Sequence, residues 1–280
     1  MGRFPGPDFW KALLTPGEEK DKRRELSAEC WDKAALTYDD LESEPDYARQ
    51  VSGVVEKMAQ KGLFERQNTL LDIACGTGTY AIIFAQRLRE VTGIDISGGM
   101  LERFRQKVEE KGITNCRIIK GDWSSYDMGE QFDIVFSSMN PLLGSYENID
   151  RMLDTSRRYL VLVGWAGVRK NLFLEEIGKK ILGHPPKSPK SDITVVFGYL
   201  YSLGYAPEIE YFHGTWHRRY PLERQLKRII WRLEFERDLT EPERQLVREE
   251  LERIKDKDDL VTLETRVRTG CLVLDKRSRA

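Results

Sequence analysis

The sequence has 280 residues, which is enough for one large α/β domain with additions or for two small domains. Its 45 lysine and arginine residues nearly balance 46 aspartate and glutamate residues, which excludes a strong overall attraction to nucleic acid or to an anionic membrane. No apolar stretch approaches the roughly 20 residues that span a bilayer, and the first residues lack a signal-peptide pattern, so we expect a cytoplasmic protein without membrane contact.

The four cysteines, Cys30, Cys75, Cys116 and Cys271, form no CxxC pair. Their spacing indicates reduced thiols and favours neither a disulfide framework nor a metal site.

The first 64 residues are predicted to form an N-terminal arm and two helices. Phe4, Phe9 and Trp10 could pack the arm, residues 1–24, against the body, although we expect fraying there. The helices are predicted over residues 25–42 and 45–63, because apolar residues recur at helical spacing and Pro45 separates the two.

Strands and helices alternate from residue 65 to residue 220, which we interpret as the core of the protein. Strands are predicted at 69–74, 91–94, 116–119, 132–136, 159–164 and 208–216, and helices at 80–89, 99–111, 149–158, 170–182 and 192–203. Apolar strands that alternate with helices indicate a parallel sheet covered on both faces.

A charged helical pair is predicted at residues 221–237 and 241–255, with a capping box from Thr240 to Glu243. We interpret residues 221–260 as an insertion that could serve as packing, as a lid over an acceptor, or as a contact in a homodimer. Residues 261–280 return to the core as its last strand. The predicted fold class is α/β, with a doubly wound, mostly parallel seven-stranded sheet, N-terminal helices and a helical insertion before the last strand.

The segment most informative about chemistry is residues 70–81, LLDIACGTGTYA, a strand followed by a glycine turn and a helix. Gly76 and Gly78 let the backbone bend and let a ligand approach the free N–H groups of the helix. Together with Ala81 they also satisfy the dinucleotide pattern of NAD enzymes. However, the carboxylate of Asp72 would repel a pyrophosphate and suits a cationic ligand such as S-adenosylmethionine, which has no phosphate.

Residues 71–78 resemble the first motif of the class I, seven-stranded S-adenosylmethionine-dependent methyltransferases, with Ala74 in place of the first glycine. Three further segments, residues 91–97, 120–123 and 131–138, resemble the second, third and fourth motifs of that family in the right order. The resemblance is strong over about residues 65–165, and four ordered motifs are more specific than any one of them.

This resemblance implies a binding site for S-adenosylmethionine at the carboxyl ends of the strands. It implies that Asp95 accepts the ribose hydroxyls, that Asp122 accepts the adenine amino hydrogens and that Trp123 packs on the purine. The other cofactor-binding residues expected from the family are Tyr38, Asp72, Ala74, Cys75, Gly76, Gly78, Ile96, Met100 and Ser137. Of these, Tyr38, Ile96, Met100 and Ser137 could equally have purely structural roles.

No catalytic residue is predicted, because a sulfonium methyl reacts when the acceptor is positioned in line with it, and a base is needed only for an acceptor that keeps its proton. Asn140-Pro141 resembles the Asn-Pro-Pro-aromatic tetrad of amino-methyltransferases, but it comes two residues late and lacks the second proline and the aromatic residue. His213 and His217 could share one strand face, yet no third metal ligand is evident.

Two features of the sequence bear on the methyl acceptor. An aromatic-rich stretch at residues 197–216 could line an apolar acceptor pocket or fill an interface, and the basic residues Arg218, Arg219, Lys227 and Arg228 could be a solvated face or contact an anionic acceptor. We expect a methyltransferase acting on a small molecule, with nucleic acid a less favoured acceptor. The alternatives are an RNA or protein methyltransferase, a non-catalytic cofactor-binding scaffold and, disfavoured by Asp72, an NAD-type oxidoreductase.

Overall fold

The computed structural model describes residues 4–14, 27–187 and 192–278, and the side chain of Leu36 is outside the description. One sheet contains seven strands, in the order β3-β2-β1-β4-β5-β7-β6. All neighbouring pairs are parallel except those of β7, which is antiparallel to both β5 and β6. The predicted α/β class and the mostly parallel seven-stranded sheet are therefore confirmed. The strands are β1 (Thr69–Ile73), β2 (Glu90–Asp95), β3 (Cys116–Lys120), β4 (Phe132–Ser138), β5 (Ser156–Lys170), β6 (Glu208–Pro221) and β7 (Leu260–Asp275).

Helices precede the sheet, cover its two faces and lie between β6 and β7. They are α1 (Pro7–Leu14), α2 (Ala28–Tyr38), α3 (Pro45–Gln60), α4 (Thr79–Ala85), α5 (Gly98–Glu110), α6 (Tyr146–Thr155), α7 (Leu172–Leu182), α8 (Ile193–Ser202), α9 (Leu222–Leu233) and α10 (Glu241–Glu252), with short 3₁₀ helices at Asp39–Ser43 and Pro141–Gly144. Residues 25 and 26 of the helix predicted at 25–42, and most of the predicted arm, lie outside the described residues. In the part of the chain that is described, no helix is both long and apolar enough to cross a bilayer.

The central strands are buried on both faces, which explains their continuous apolar runs. In β1, Leu70 points into one hydrophobic cluster and Leu71 into another on the opposite side of the sheet. This alternation is what a parallel strand between two helical layers requires. The parallel pairing of β1 with β2 and with β4 brings the carboxyl ends of these three strands together at one edge of the sheet, where the chain turns into loops and helices.

Three of the elements that differ in length from the prediction do so because of long-range contacts. Strand β5 begins at Ser156, inside the helix predicted at 149–158, and continues to Lys170 because it pairs with β7 as far as Lys170 opposite Arg266. Helix α4 ends at Ala85, four residues early, because the side-chain amide of Asn115 donates hydrogen bonds to the carbonyls of Ala85 at 2.8 Å and Leu88 at 3.1 Å. Strand β6 continues to Pro221 because it pairs with β7 along its whole length, from Glu208 opposite Val273 to Pro221 opposite Leu260.

The far end of this long β6–β7 pair supports a third hydrophobic cluster, separate from the two on the sheet faces. It joins α7, α9 and α10 through side chains such as Ile177, Leu226 and Val247. This cluster holds α9 in place. Helix α9 in turn contacts α2, where the indole of Trp231 donates a hydrogen bond of 2.9 Å to the carbonyl of Cys30. The N-terminal helix α1 packs on α8, where Trp10 contacts the Cα side of Gly198.

Candidate functional site

The turn between β1 and α4 has an unusual backbone. Ala74, Gly76 and Gly78 all have positive φ angles, at 56°, 55° and 79°. A side chain on Gly76 would have one neighbour within 4 Å, the ring of Tyr38 at 3.8 Å. Gly76 thus leaves its backbone open toward the space beneath Tyr38, as a loop that approaches a ligand closely must do.

The carboxylate of Asp95, the last residue of β2, holds this turn in place. Its Oδ2 accepts a hydrogen bond of 2.8 Å from the N–H of Gly76, and its Oδ1 accepts one of 2.8 Å from the N–H of Ser97. Burial raises the pKa of Asp95 above its ordinary value, although these backbone hydrogen bonds act in the opposite direction. Since a carboxylate has about four acceptor sites, lone pairs remain for a ligand.

Helix α2 closes over this region from the N-terminal side. Oδ1 of Asp32 accepts hydrogen bonds from the hydroxyl of Ser97 at 2.6 Å and from the N–H of Gly99 at 2.8 Å, and these bonds lower the pKa of Asp32. The contact ties α2 to the first turn of α5. Asp32 could not be found from the sequence, because nothing in the local pattern links it to Ser97 and Gly99, which lie 65 and 67 positions further along the chain.

A cavity of about 360 Å³, here called the first cavity, lies between the strand ends and α2. Eight of the twelve residues proposed from the sequence line it: Tyr38, Ala74, Gly76, Asp95, Ile96, Met100, Asp122 and Trp123. They come from five separate parts of the chain, so the fold brings together most of the set that the motifs indicated. Their contact with a cofactor stays a prediction.

The other four proposed residues lie behind the wall of the first cavity. The hydroxyl of Ser137 donates to the carbonyl of Ile73 at 2.9 Å and accepts from the side-chain amide of Asn140 at 2.6 Å. The sulfur of Cys75 packs toward Gly93, and Gly78 packs against the ring of Phe104. These three residues shape the site rather than face it.

Asp72, the fourth, is a buried carboxylate that forms no hydrogen bond through its side chain among the described residues. Burial, with a smaller contribution from the charge of Asp95, raises the pKa of Asp72 well above its ordinary value. The ionised form of Asp72 is therefore disfavoured until a positive charge is nearby.

Asp72→Asn should change how stability depends on pH. The folded protein holds a proton on Asp72 at pH values where the unfolded chain has lost it, so wild-type stability falls as pH rises above about 4 and toward the raised folded pKa. The variant lacks this loss, so the difference in the free energy of unfolding between Asp72→Asn and the wild type should shift in favour of the variant from pH 4 to pH 8. Urea unfolding at both pH values measures the difference, and a pH-independent difference would contradict the assignment.

The first cavity also has lining residues that sequence analysis missed, among them Trp31, Ser138 and Met139. Ser138, not Ser137, faces the cavity, because successive residues of β4 point to opposite faces. Met139 has a φ of 53°, a strained value for a residue with a side chain, and such strain is concentrated at functional sites.

Asn140 also lines the first cavity, but its side chain is engaged locally. Its Oδ1 accepts a hydrogen bond of 2.9 Å from the N–H of Leu142, and its Nδ2 donates to Ser137. The side chain caps the following 3₁₀ helix, which is the usual role of Asn at such a position. This geometry gives no support to the amino-methyltransferase tetrad.

A second cavity, of about 270 Å³, adjoins the first. The residues that line both are Trp31, Tyr38, Met139, Asn140 and Pro141, and we call this shared boundary the seam. Burial raises the pKa of Tyr38 to about 12, with a further contribution from the charge of Asp95. Its hydroxyl therefore stays protonated near neutral pH and can donate a hydrogen bond at the seam.

His213 and His217 lie away from both cavities. Trp216, Arg218 and Tyr220 of β6 line the second cavity, so the alternating residues His217 and Arg219 point to the other face of the sheet. Across the described ranges, no group of three or more His, Cys, Asp or Glu residues could hold a metal ion.

The chain is similar to known methyltransferases. Residues 70–164 match the family model of a methyltransferase domain. An uncharacterised protein from Haemophilus influenzae is 26% identical over 163 residues, which cover 55% of this chain and 58% of that protein. A tRNA/tmRNA (uracil-C(5))-methyltransferase from Pseudomonas entomophila is 28% identical over 111 residues, covering 37% of this chain and 31% of the relative.

The fold is similar to that of magnesium protoporphyrin IX methyltransferase from Synechocystis PCC 6803, crystallised with bound S-adenosylhomocysteine. The TM-score is 0.52 at 19% sequence identity, and the match covers 69% of this chain and 92% of that chain. The chain spans less than two thirds of the length of the two curated relatives, and the structural likeness is one of fold.

Proposed function

We propose, from the premise that the chain contains a class I S-adenosylmethionine-dependent methyltransferase domain, that it transfers the methyl group of S-adenosylmethionine to a small-molecule acceptor. The observation that carries the proposal is the pair of adjoining cavities at the carboxyl ends of the strands. The first is suited to the cofactor and the second to the acceptor, and the seam separates them.

The charge of the first cavity fits this cofactor. Two acids, Asp95 and Asp122, line it, and no lysine, arginine or histidine does so among the described residues. A dinucleotide diphosphate would face these carboxylates without a neutralising cation, whereas a phosphate-free, cationic nucleoside would be attracted by them. The residues present thus favour S-adenosylmethionine over NAD.

S-adenosylmethionine, when bound, supplies an electrophilic methyl group on its sulfonium. In the proposal, Asp95 accepts the ribose hydroxyls through the lone pairs that Gly76 and Ser97 leave free. Asp122 accepts from the adenine amino group, although its Oδ1 already accepts from the N–H of Ser124 at 2.9 Å.

Trp123 would form an apolar wall beside the adenine. Its ring is almost fully buried, and the guanidinium of Arg151 lies 4.5 Å from the ring centroid on one side. Held in this way, the indole is a rigid surface, and a rigid surface loses little entropy when a purine packs on it.

The second cavity supports a small acceptor. It is enclosed by α2, β6 and α9, and about 270 Å³ is near the lower end of the range for small-molecule pockets. An acceptor held there would be positioned across the seam, and positioning can supply roughly 7–11 kcal/mol of the barrier.

Thermal unfolding tests the cofactor assignment. S-adenosylhomocysteine at about 100 times its dissociation constant should stabilise the fold by about 2.7 kcal/mol, and thus raise Tm by about 5 °C or more. NAD at the same concentration should leave Tm unchanged. The reverse pattern would refute the proposal.

Methyl transfer from labelled S-adenosylmethionine into cell-lysate fractions tests the acceptor class. We expect the labelled product to be small and insensitive to ribonuclease. A ribonuclease-sensitive product would instead favour RNA, the acceptor named for the Pseudomonas entomophila relative. The absence of any labelled product would favour a non-catalytic scaffold.

A further inference from the structure

The two cavities carry opposite charge. The first is lined by two carboxylates, and the second is lined by five cationic side chains, Lys33, Arg169, Arg218, Lys227 and Arg228, with Asp40 as its one acid among the described residues. Asp40 is in an ion pair with Arg224, and Lys33 is in an ion pair with Glu29, so the other four cations account for the positive charge of this wall. The second cavity is therefore electropositive while its neighbour is electronegative.

Among these cations, Arg218 gives the strongest indication of an anionic ligand. Its Nε is buried and has no hydrogen-bond partner, and the side chain forms no ion pair with any carboxylate of the described ranges. Two acids are close enough to affect it. Glu44 accepts from the backbone N–H of Asp46 at 3.2 Å and of His217 at 3.1 Å, and Asp40 is ion-paired with Arg224 through Oδ1, while its Oδ2 has no hydrogen-bond partner among the described residues. The guanidinium carbon lies 5.6 Å from the centroid of the Trp216 ring, but this contact leaves the buried Nε–H without an acceptor in the described part of the chain, and an anionic ligand would supply one.

Three of the five cations, all of them arginines, lie toward one end of the second cavity. A third cavity, of about 360 Å³, continues from the second, and Arg169, Arg218 and Arg228 line both. The third cavity shares no lining residue with the first. The three arginines thus lie where the second cavity meets the third cavity, whereas Tyr38 and Met139 lie where the second cavity meets the first.

The remaining wall is aromatic. Trp165 and Trp216 have ring centroids 5.6 Å apart, and so do Trp31 and Trp231. Large flat side chains on several sides favour a ligand with a flat, apolar body, because such a ligand buries much area against them.

We propose that the acceptor is an anion with a flat apolar or aromatic body, whose carboxylate or phosphate binds the arginines at the far end of the second cavity while its nucleophile lies at the seam. This inference rests on the proposed function, since it identifies the acceptor of that methyl transfer. The basic residues first seen in the sequence divide accordingly: Arg218, Lys227 and Arg228 line the cavity, and Arg219 forms ion pairs with Asp256 and Asp258 on the opposite face.

Calorimetric titration of the full chain tests the proposal, first with S-adenosylhomocysteine and then, at saturation, with three probes. The probes are 1-naphthoate, 1-naphthyl phosphate and the uncharged 1-naphthamide. We expect at least one anionic probe to bind about tenfold or more tightly than the amide. The stronger of the two anions identifies the carboxylate or the phosphate as the natural group.

Matched variants locate the anion. Arg218→Gln should weaken the anionic probe about tenfold and leave the amide and S-adenosylhomocysteine unchanged, whereas Arg219→Gln, one residue away on the other face, should change none of the three. Lys227→Gln removes an exposed charge that the core does not need, and should weaken the anion about threefold even if Arg218→Gln fails to fold.

The outcomes separate the two proposals. If S-adenosylhomocysteine binds but the amide binds as well as the anions, or Lys227→Gln and Arg218→Gln change nothing, the anionic acceptor is refuted and the methyltransferase proposal stands. If Arg218→Gln weakens S-adenosylhomocysteine as much as the anion, the arginine serves the cofactor carboxylate and the inference is again refuted. If S-adenosylhomocysteine does not bind the wild type, both proposals fall.

Discussion

Asp95→Asn should lower the affinity for S-adenosylhomocysteine about a hundredfold, measured by titration calorimetry at neutral pH. The carboxylate accepts the N–H groups of Gly76 and Ser97 and, in the proposal, the ribose hydroxyls as well. Asparagine replaces one acceptor oxygen with an NH₂ group, which would face a backbone N–H or a hydroxyl. Losing one or two hydrogen bonds to a charged group costs about 2–3 kcal/mol, which corresponds to the expected change in affinity.

Asp133→Asn is the matched control. Oδ2 of Asp133 likewise accepts from a neighbouring strand, at 2.8 Å from the N–H and 2.9 Å from the hydroxyl of Thr69, but it lies at the amino end of β4. Both variants should lose some stability, and only Asp95→Asn should lose cofactor affinity. Equal affinities in the two variants would remove Asp95 from the cofactor site.

Gly78→Ala should reduce the free energy of unfolding by about 3 kcal/mol or more, because two penalties coincide. The φ of 79° is in the left-handed region, and the new Cβ would lie 2.1 Å from Cδ2 of Phe104. Phe104 is fully buried in the main hydrophobic cluster, so its ring cannot move aside without disturbing that cluster. Urea unfolding followed by circular dichroism measures the loss.

Gly112→Ala separates the two penalties. Gly112 also has a positive φ, 61°, but a Cβ there would meet nothing within 4 Å. Its replacement should therefore cost only about 1 kcal/mol, the price of the left-handed backbone. If both alanine variants lost the same stability, the close approach of Phe104 would not be the reason for a glycine at position 78.

The part of the site that follows strand ends could be predicted from the sequence. Short apolar runs identify buried strands, and the polar residue that ends such a run lies where the strand leaves the sheet. Asp95 ends a strand in this way, whereas Asp122 lies two residues after the end of β3 and was expected from the resemblance of residues 120–123 to the third motif of the family; both line the first cavity. Ser137 shows the limit of the approach. The sequence does not reveal which residues of β4 point toward the first cavity, and in the structure Ser138 lines it while Ser137 does not.

The part of the site built by long-range packing could not be predicted. The hydrogen bonds from Ser97 and Gly99 to Asp32 join segments with no common pattern, and they decide where α2 lies. The second cavity depends on that position and on α9, which the third hydrophobic cluster holds in place. The sequence showed a basic cluster but could not show that Arg218 and Arg219 point to opposite faces of the sheet. That alternation requires β6 to continue beyond residue 216, and its continuation depends on pairing with β7.

The seam couples the binding of the two proposed ligands. Trp31 and Tyr38 belong to one helix, α2, and each of them lines both cavities. A shift of α2 that tightens the fit around one ligand changes the fit around the other, so the two binding equilibria are thermodynamically linked. Linkage is reciprocal: the factor by which the cofactor tightens acceptor binding equals the factor by which the acceptor tightens cofactor binding.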